Sequence, residues 1–555
     1  MPEDVVIAGA GPAGLLLAIE LSLAGVRPLV LEALPERLPH NRANGLVGQV
    51  VRMLDRRGLY ERLAGTAGPP VPTPRYMFGG LPLDLTDLPD EDNPLYLLPV
   101  PQRQIEDVLE ARARELGVEI RFGHRLTGLI RTDDGVLVRV DGPDGGYELA
   151  AGYLVGADGG HSATRKLAGI DFPGVSRDDT VSRSAHVRVP DELRDPATGG
   201  LRVPGHGTIP PFLYHRTERG LFVYAPFPGR PTAVTTMEWN ALDTTGEFDL
   251  AELRASVRRV LGVDVALAPP AGPGPHLLRR LVGGNTRIAE TYRSGRVLLV
   301  GDAAHVHAAV GGPGLNLGLQ DAVNLGWKLA AAVRGRDDLL DSYQAERRPV
   351  GARVVTHTQA QSALITAGPQ TTALRSVLTE LLADRPARHR LAELLAGADT
   401  RYPAEPGAHP LVGRWAPDLV LRRATGPLPG SSTGPASGEA AGSRAGGVPG
   451  AAAAPGPDAG AAPVRLAELT AAGRPLLLDL TTGHDLGREL ADLAGRVDVV
   501  TAAPVAGAPT AMLLRPDCYL AWASDSANPD PAERAALCAA AGRWFAARRL
   551  VEPVA

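Results

Sequence analysis

Val5-Val6-Ile7-Ala8 is an apolar run that ends in Gly9-Ala10-Gly11-Pro12-Ala13-Gly14. Leu15 to Ala24 read as a helix, and Pro28-Leu29-Val30-Leu31 is a second apolar run that stops at Glu32. Strand, glycine turn, helix, strand and acidic residue, in that order, leave few folds open. The spacing predicts a β-α-β unit in a parallel sheet. Gly9 permits the tight turn, Gly11 the approach of a pyrophosphate, and Gly14, next to Ala13, close helix packing. Glu32 is placed to accept hydrogen bonds from ribose hydroxyls. A dinucleotide is the expected ligand of this end of the chain.

Two other segments have the same grammar. Arg296-Val297-Leu298-Leu299-Val300 is an apolar strand ending at Gly301-Asp302-Ala303-Ala304-His305. Gly311-Gly312-Pro313-Gly314-Leu315-Asn316 follows, then a helix with apolar positions at Leu315, Leu319, Ala322, Gly326, Leu329 and Val333. A helix start offers unpaired N–H groups and partial positive charge, suited to a planar group that gains negative charge. Taken alone, such a loop is equally a plain strand-to-helix turn. The other segment, Tyr153-Leu154-Val155-Gly156-Ala157-Asp158-Gly159-Gly160-His161-Ser162, is likewise a strand ending in an Asp-Gly turn.

Together the three segments resemble the class A flavoprotein monooxygenases, the para-hydroxybenzoate hydroxylase-like family. Within it they look most like the bacterial polyketide aromatic hydroxylases and rifampicin-type monooxygenases. The resemblance is dense over residues 1–400 and loose beyond. It implies FAD as cofactor, held by Gly9, Gly11, Ala13, Gly14, Glu32, Arg42, Gln102, Asp158, Asp302, Gly312, Gly314, Leu315 and Asn316. It implies NADPH or NADH as co-substrate, with O2 added to the flavin C4a and passed on from the hydroperoxide. Arg42, His305, Gly312, Pro313 and Gly314 are the residues it places nearest the chemistry. Arg287, Tyr292 and Arg296 fit the family's approach to the Gly-Asp strand. Asn41 stands where serine is usual, and Ala308 and Ala309 where the family commonly has proline.

The remaining sequence sets bounds on this reading. A formal net charge of -5 offers nucleic acid or a membrane no attraction. The two cysteines, Cys518 and Cys538, imply no disulfide framework. The first apolar run is already a sheet strand, so a cytoplasmic enzyme is expected, with a homodimer the arrangement carried forward. His305 and His307 lack the acidic and thiolate neighbours of a metal site. His305 reads equally as loop structure. Lys166 and Lys328 are the only lysines and no Trp-x-Trp occurs, which excludes a flavin halogenase. Baeyer–Villiger insertion and inactivation of an antibiotic stay open beside aromatic hydroxylation.

The expected fold is α/β: a discontinuous Rossmann-like FAD domain, a β-sheet substrate domain and a C-terminal thioredoxin-like domain. FAD-domain pieces are expected at 1–72, 98–175 and 280–365, with substrate-domain pieces at 73–97 and 176–279. A helical segment spans 366–400, and the C-terminal domain covers 401–555. Residues 424–463, mostly Gly, Ala, Pro and Ser, read as a disordered insertion. Phe212, Tyr214, Phe222, Tyr224 and Trp239 are candidate substrate-pocket aromatics, roughly half of which should be ordinary sheet packing. The C-terminal domain has no Cys-x-x-Cys, so a redox role is not expected there.

Overall fold

A computed structural model describes residues 2–37, 43–227, 229–239, 246–308, 310–422 and 463–547. Arg42 and the core of the predicted insertion lie outside the described residues. Two sheets meet at the centre of the molecule. The first has the spatial order Arg293–Ser294, Val297–Leu299, Gly145–Gly156, Glu3–Ala8, Pro28–Glu32, Glu119–Phe122. From Val297–Leu299 to Glu119–Phe122 its strands are parallel. The long strand Gly145–Gly156 has two roles. Its first half pairs antiparallel with Val136–Gly142, and its second half joins the parallel sheet beside Glu3–Ala8.

Parallel strands must be covered on both faces, which explains the near-continuous apolar runs at 5–8, 28–31 and 297–300. Val5, Val6, Ile7, Val30, Leu298 and Leu299 are all fully buried. The helix Pro12–Leu23 crosses the helix Pro313–Val333 closely: a methyl on Gly326 would stand 2.4 Å from the Glu20 Cβ. This shared core also takes in Tyr292 and Tyr343.

The second sheet is antiparallel, in the order His215–Arg216, Leu221–Ala225, Thr232–Trp239, Gly174–Val187, Leu278–Ile288, His305–Val306. Its last strand is the two residues that follow the Gly301-Asp302-Ala303 turn, so one segment closes both sheets. The amphipathic helix Leu250–Leu261, capped by the Asp249 carboxylate, buries Leu253, Val257, Val260 and Leu261 against one face of this sheet. That face presents Phe222 and Tyr224.

The helical segment expected over 366–400 is two helices, Pro369–Leu381 and Arg385–Ala396, preceded by a longer one, Leu339–Ile365. Each of the two later helices starts with proline in its first turn. The C-terminal unit has a four-stranded sheet ordered Asp498–Thr501, Leu476–Asp479, Ala511–Leu514, Leu520–Ser524. Its first pair is parallel and the rest antiparallel, with the helix Pro531–Phe545 packed against it. Among the described residues no helix is long and apolar enough to cross a membrane.

Candidate active site

Because the central strands run parallel, their carboxyl ends lie along one edge, where ligands bind in open α/β sheets. All three glycine turns leave from that edge. The backbone stitches them side by side: Gly9 N–H donates to Leu31 O at 2.7 Å, Ala157 N–H to Ala8 O at 2.8 Å and Val300 N–H to Gly156 O at 3.0 Å.

In the first turn Gly9 has φ +110, and a methyl there would stand 2.4 Å from Ala157 O. One on Gly14 would stand 2.1 Å from Gly9 O, whereas one on Gly11 meets nothing within 4 Å. Gly11 therefore faces open space, as an approaching pyrophosphate requires. The Ala13 methyl fits between Gly301 and Gly318, joining the first turn to the third. The Glu32 carboxylate accepts from Ala10 N and Leu34 N, each at 2.9 Å, which orients it beside the turn. Arg37 braces the same corner: it donates to Ala10 O at 2.8 Å and pairs with Glu110.

Asp158 in the second turn is committed to its own backbone. It accepts from the Ser162 hydroxyl and from Thr164 N and Oγ1, while the Ser162 oxygen caps the helix Ala163–Leu167 by accepting from Arg165 N. Arg165 donates to Gly160 O and Ala303 O, locking this turn to the third, and stacks 3.7 Å from the Phe172 ring. Neither arginine was assigned a role from sequence; both act through contacts distant in the chain. Gln102 donates to Glu106, and its backbone N–H reaches Ala43 O.

In the third turn the Asp302 carboxylate is exposed and accepts no hydrogen bond from the described residues, which leaves it free for a ligand hydroxyl. Gly312 has φ +66 and caps the helix Pro313–Val333, with Pro313 at its first position. No side chain caps this start, so the first-turn N–H groups of Gly314 and Leu315 are available. Asn316 is a latch: its Oδ1 accepts from Val47 N at 3.1 Å and its Nδ2 donates to Gly312 O at 3.1 Å. The Tyr76 hydroxyl donates to Gly311 O at 3.0 Å, and burial raises its pKa above the ordinary phenol value. The His307 ring lies over Gly314, and burial pushes that imidazole below its usual pKa.

His305 is fully buried, with Nε2 at 2.6 Å from Asp321 Oδ2, so its ring is committed to a buried carboxylate and presents no surface to the crevice. The pocket aromatics divide by strand alternation. Phe222 and Tyr224 belong to the core under the helix Leu250–Leu261, which corrects their reading as substrate contacts. Tyr214 and Trp239 lie on the other face, in an apolar cluster with Leu221, Met237, Val310 and Ile365 beside the glycine loop. Phe212, at φ +63, is exposed and meets Phe227 edge-on.

This carboxyl-edge crevice fits an extended dinucleotide whose far end rests on a helix start: an open pyrophosphate path at Gly11, a free carboxylate at Asp302 and bare N–H groups at Gly314. An FAD binding domain model matches residues 3–358, and an aromatic-ring hydroxylase C-terminal model matches residues 447–547. The chain belongs to the FAD-dependent aromatic-ring hydroxylases. It is similar to the 12-dehydrotetracycline 5-monooxygenase/anhydrotetracycline 6-monooxygenase of Streptomyces rimosus, with 39% identity over 536 residues, 94% of this chain and 95% of that one. It is 36% identical to the rifampicin monooxygenase of Streptomyces venezuelae over 526 residues, 94% of this chain and 96% of that one. The solved anhydrotetracycline hydroxylase from Streptomyces rimosus superposes with a TM-score of 0.78 at 37% identity, covering 98% and 99% of the two chains. The protein is an FAD-dependent monooxygenase.

Proposed function

We propose that the enzyme hydroxylates a bulky polycyclic aromatic substrate of the polyketide kind, using NADPH or NADH as reductant. One observation carries the substrate class: Tyr214, Met237 and Trp239 form an apolar sheet face with Leu221, Val310 and Ile365, directly beside the loop Gly311–Asn316. Of these, only Tyr214, Met237 and Trp239 are part-exposed, and a fused aromatic skeleton would suit their polarity. The named activities of the tetracycline- and rifampicin-acting relatives support the same class.

FAD, when bound, supplies the redox and oxygen-transfer chemistry. The chain's own residues do the rest. Gly9, Gly11 and Gly14 shape the pyrophosphate path, and Glu32 addresses the ribose. Asp302 would hold a hydroxyl of the cofactor. The N–H groups of Gly314 and Leu315 would meet the flavin's pyrimidine edge and favour negative charge there. Tyr214 and Trp239 orient the substrate and keep water from the reacting edge. We also read the C-terminal unit as thioredoxin-like, supported by its parallel first strand pair and antiparallel second half.

The test is a screen of aromatic polyketides and phenolic antibiotics for substrate-stimulated NADPH oxidation, with product mass and connectivity. A product gaining one oxygen on its ring agrees with the proposal. Oxygen inserted beside a ketone replaces it with Baeyer–Villiger chemistry, and no stimulation by any aromatic skeleton overturns it.

A further inference from the structure

Behind the third turn, on the side away from the crevice, lies a buried polar chain that the proposed chemistry does not use. Asp321 is its centre, about two turns into the helix Pro313–Val333 and fully buried. Its Oδ2 accepts from His305 Nε2 at 2.6 Å and from Gly301 N–H at 3.3 Å. Its Oδ1 accepts from Arg347 Nε at 2.8 Å. One carboxylate thus grips both ends of the turn that carries Asp302. Burial pushes the Asp321 pKa up, but Arg347 and His305 outweigh it and hold the group below the usual carboxylate range.

Arg347 continues the chain outward. It is fully buried, and its Nη1 donates to the Tyr402 hydroxyl at 3.0 Å. Tyr402 stacks on Tyr519 at 4.0 Å between ring centroids. Tyr519 precedes the strand Leu520–Ser524, and its backbone bridges to Trp415. The neighbouring residue of the same helix, Glu346, faces the C-terminal unit too, holding Arg515 with both carboxylate oxygens at 2.7 and 2.8 Å. The C-terminal unit is therefore wired to the underside of the Gly301–Asp302 turn through three hydrogen-bonded steps and a ring stack.

We propose that Arg347 and Tyr402 are positioning residues for the cofactor. Docking of the C-terminal unit holds Arg347 in place, Arg347 holds Asp321, and Asp321 holds the Gly301–Asp302 turn where it binds FAD. The inference rests on the reading that Asp302 touches FAD. A chain of buried, directional contacts with little slack is the physical form such coupling takes. Reciprocity follows: FAD binding must tighten the C-terminal unit by the same factor.

Removing a charge from a buried pair would destabilise the whole fold, so the informative substitution is Tyr402→Phe, which keeps the stack and deletes one acceptor. Dissociation constants for FAD are measured on apoprotein of the parent, Tyr402→Phe, Asp302→Ala and Arg336→Ala. Arg336 ties the far end of the C-terminal unit by donating to Ala546 O and Arg543 O, with no link to Asp321. Tyr402→Phe should raise the constant about tenfold, Asp302→Ala should raise it too, and Arg336→Ala should leave it unchanged. If Asp302→Ala has no effect, the seat of FAD is misread and the inference falls with it. If Asp302→Ala weakens binding while Tyr402→Phe does not, or if Arg336→Ala acts as strongly as Tyr402→Phe, the coupling path is wrong. Hydrogen exchange on the unmodified protein gives a second reading. FAD should slow exchange at 400–416 and 515–520, and equal exchange with and without FAD contradicts the inference.

Discussion

A methyl on Gly11 would meet no atom within 4 Å, while one on Gly14 would stand 2.1 Å from the Gly9 carbonyl oxygen. The two glycines therefore fail differently. Gly11→Val should leave apoprotein stability within about 0.5 kcal/mol, because Gly11 has φ -73 and ψ 177, which any residue adopts. It should nonetheless abolish FAD retention, because the side chain enters the pyrophosphate path. Gly14→Ala should destabilise the apoprotein by about 3 kcal/mol, since a backbone carbonyl cannot move aside as a side chain can. Melting curves of both apoproteins, with flavin content after desalting, separate the two; a Gly11→Val protein that purifies fully yellow would contradict the assignment. The roles of these glycines are legible in sequence because each is local: the turn, the close approach and the helix contact all lie within six residues. Arg37 and Arg165 were not legible, because their partners Glu110 and Ala303 lie 73 and 138 residues away.

In the proposed mechanism the start of the helix Pro313–Val333 is the element that would stabilise the reduced flavin's charge. Gly314→Val would press on the His307 ring, whose nearest atoms stand 3.3 Å from the built Cβ, and would push the loop away from the cofactor. Losing a helix-end interaction of about 1 kcal/mol should lower the flavin's two-electron potential by about 20 mV. Dye-equilibration potentiometry reads this; a potential equal to the parent's would remove the helix start from the mechanism. The next helix, Leu339–Ile365, carries His357, which burial and then His307 and Arg353 push down to about 4. An unfolded imidazole titrates near 6.5, so the unfolded chain takes up a proton that the fold resists. The stability His357 contributes is therefore fully present above pH 6.5 and is lost as pH falls toward 4. Melting temperatures at pH 7.5 and 5 should differ less in His357→Gln than in the parent; equal differences would show that His357 does not carry the effect. At this scale alternation sets Phe222 and Tyr224 on one face of the strands Leu221–Ala225 and Thr232–Trp239 and Met237 and Trp239 on the other, but it does not say which face the helix Leu250–Leu261 covers. Phe222 and Tyr224 were therefore as plausible in the pocket as Tyr214 and Trp239.

Across the whole molecule, the C-terminal unit is joined to the FAD-binding part by buried ion pairs rather than by apolar packing alone. Arg57 pairs with Glu20 at 2.6 Å and donates to Thr470 O and Pro516 O, while Lys328, Glu346, Arg515 and Asp517 form a second buried cluster. The contacts that cross between the two parts, Arg57 to Thr470 and Pro516 and Glu346 to Arg515, have no sequence signature, since they join residues far apart in the chain. The predicted insertion begins and ends beside itself: Leu421 pairs with Val464, and Val420 with Arg465, in an antiparallel ladder. Replacing residues 424–461 with a short glycine-rich hairpin should leave FAD binding and turnover nearly unchanged, and loss of flavin on that replacement would show that the segment is structural. The glycine turns, the carboxyl edge and the apolar sheet face have one purpose in this account, which is to place an aromatic ring where FAD-dependent oxygen transfer occurs. The most direct measurement is turnover of an aromatic substrate with NADPH under isotopically labelled dioxygen. One labelled oxygen atom should appear in each product molecule, with NADPH consumed in step. Product carrying oxygen from water, or formed without NADPH consumption, would contradict it.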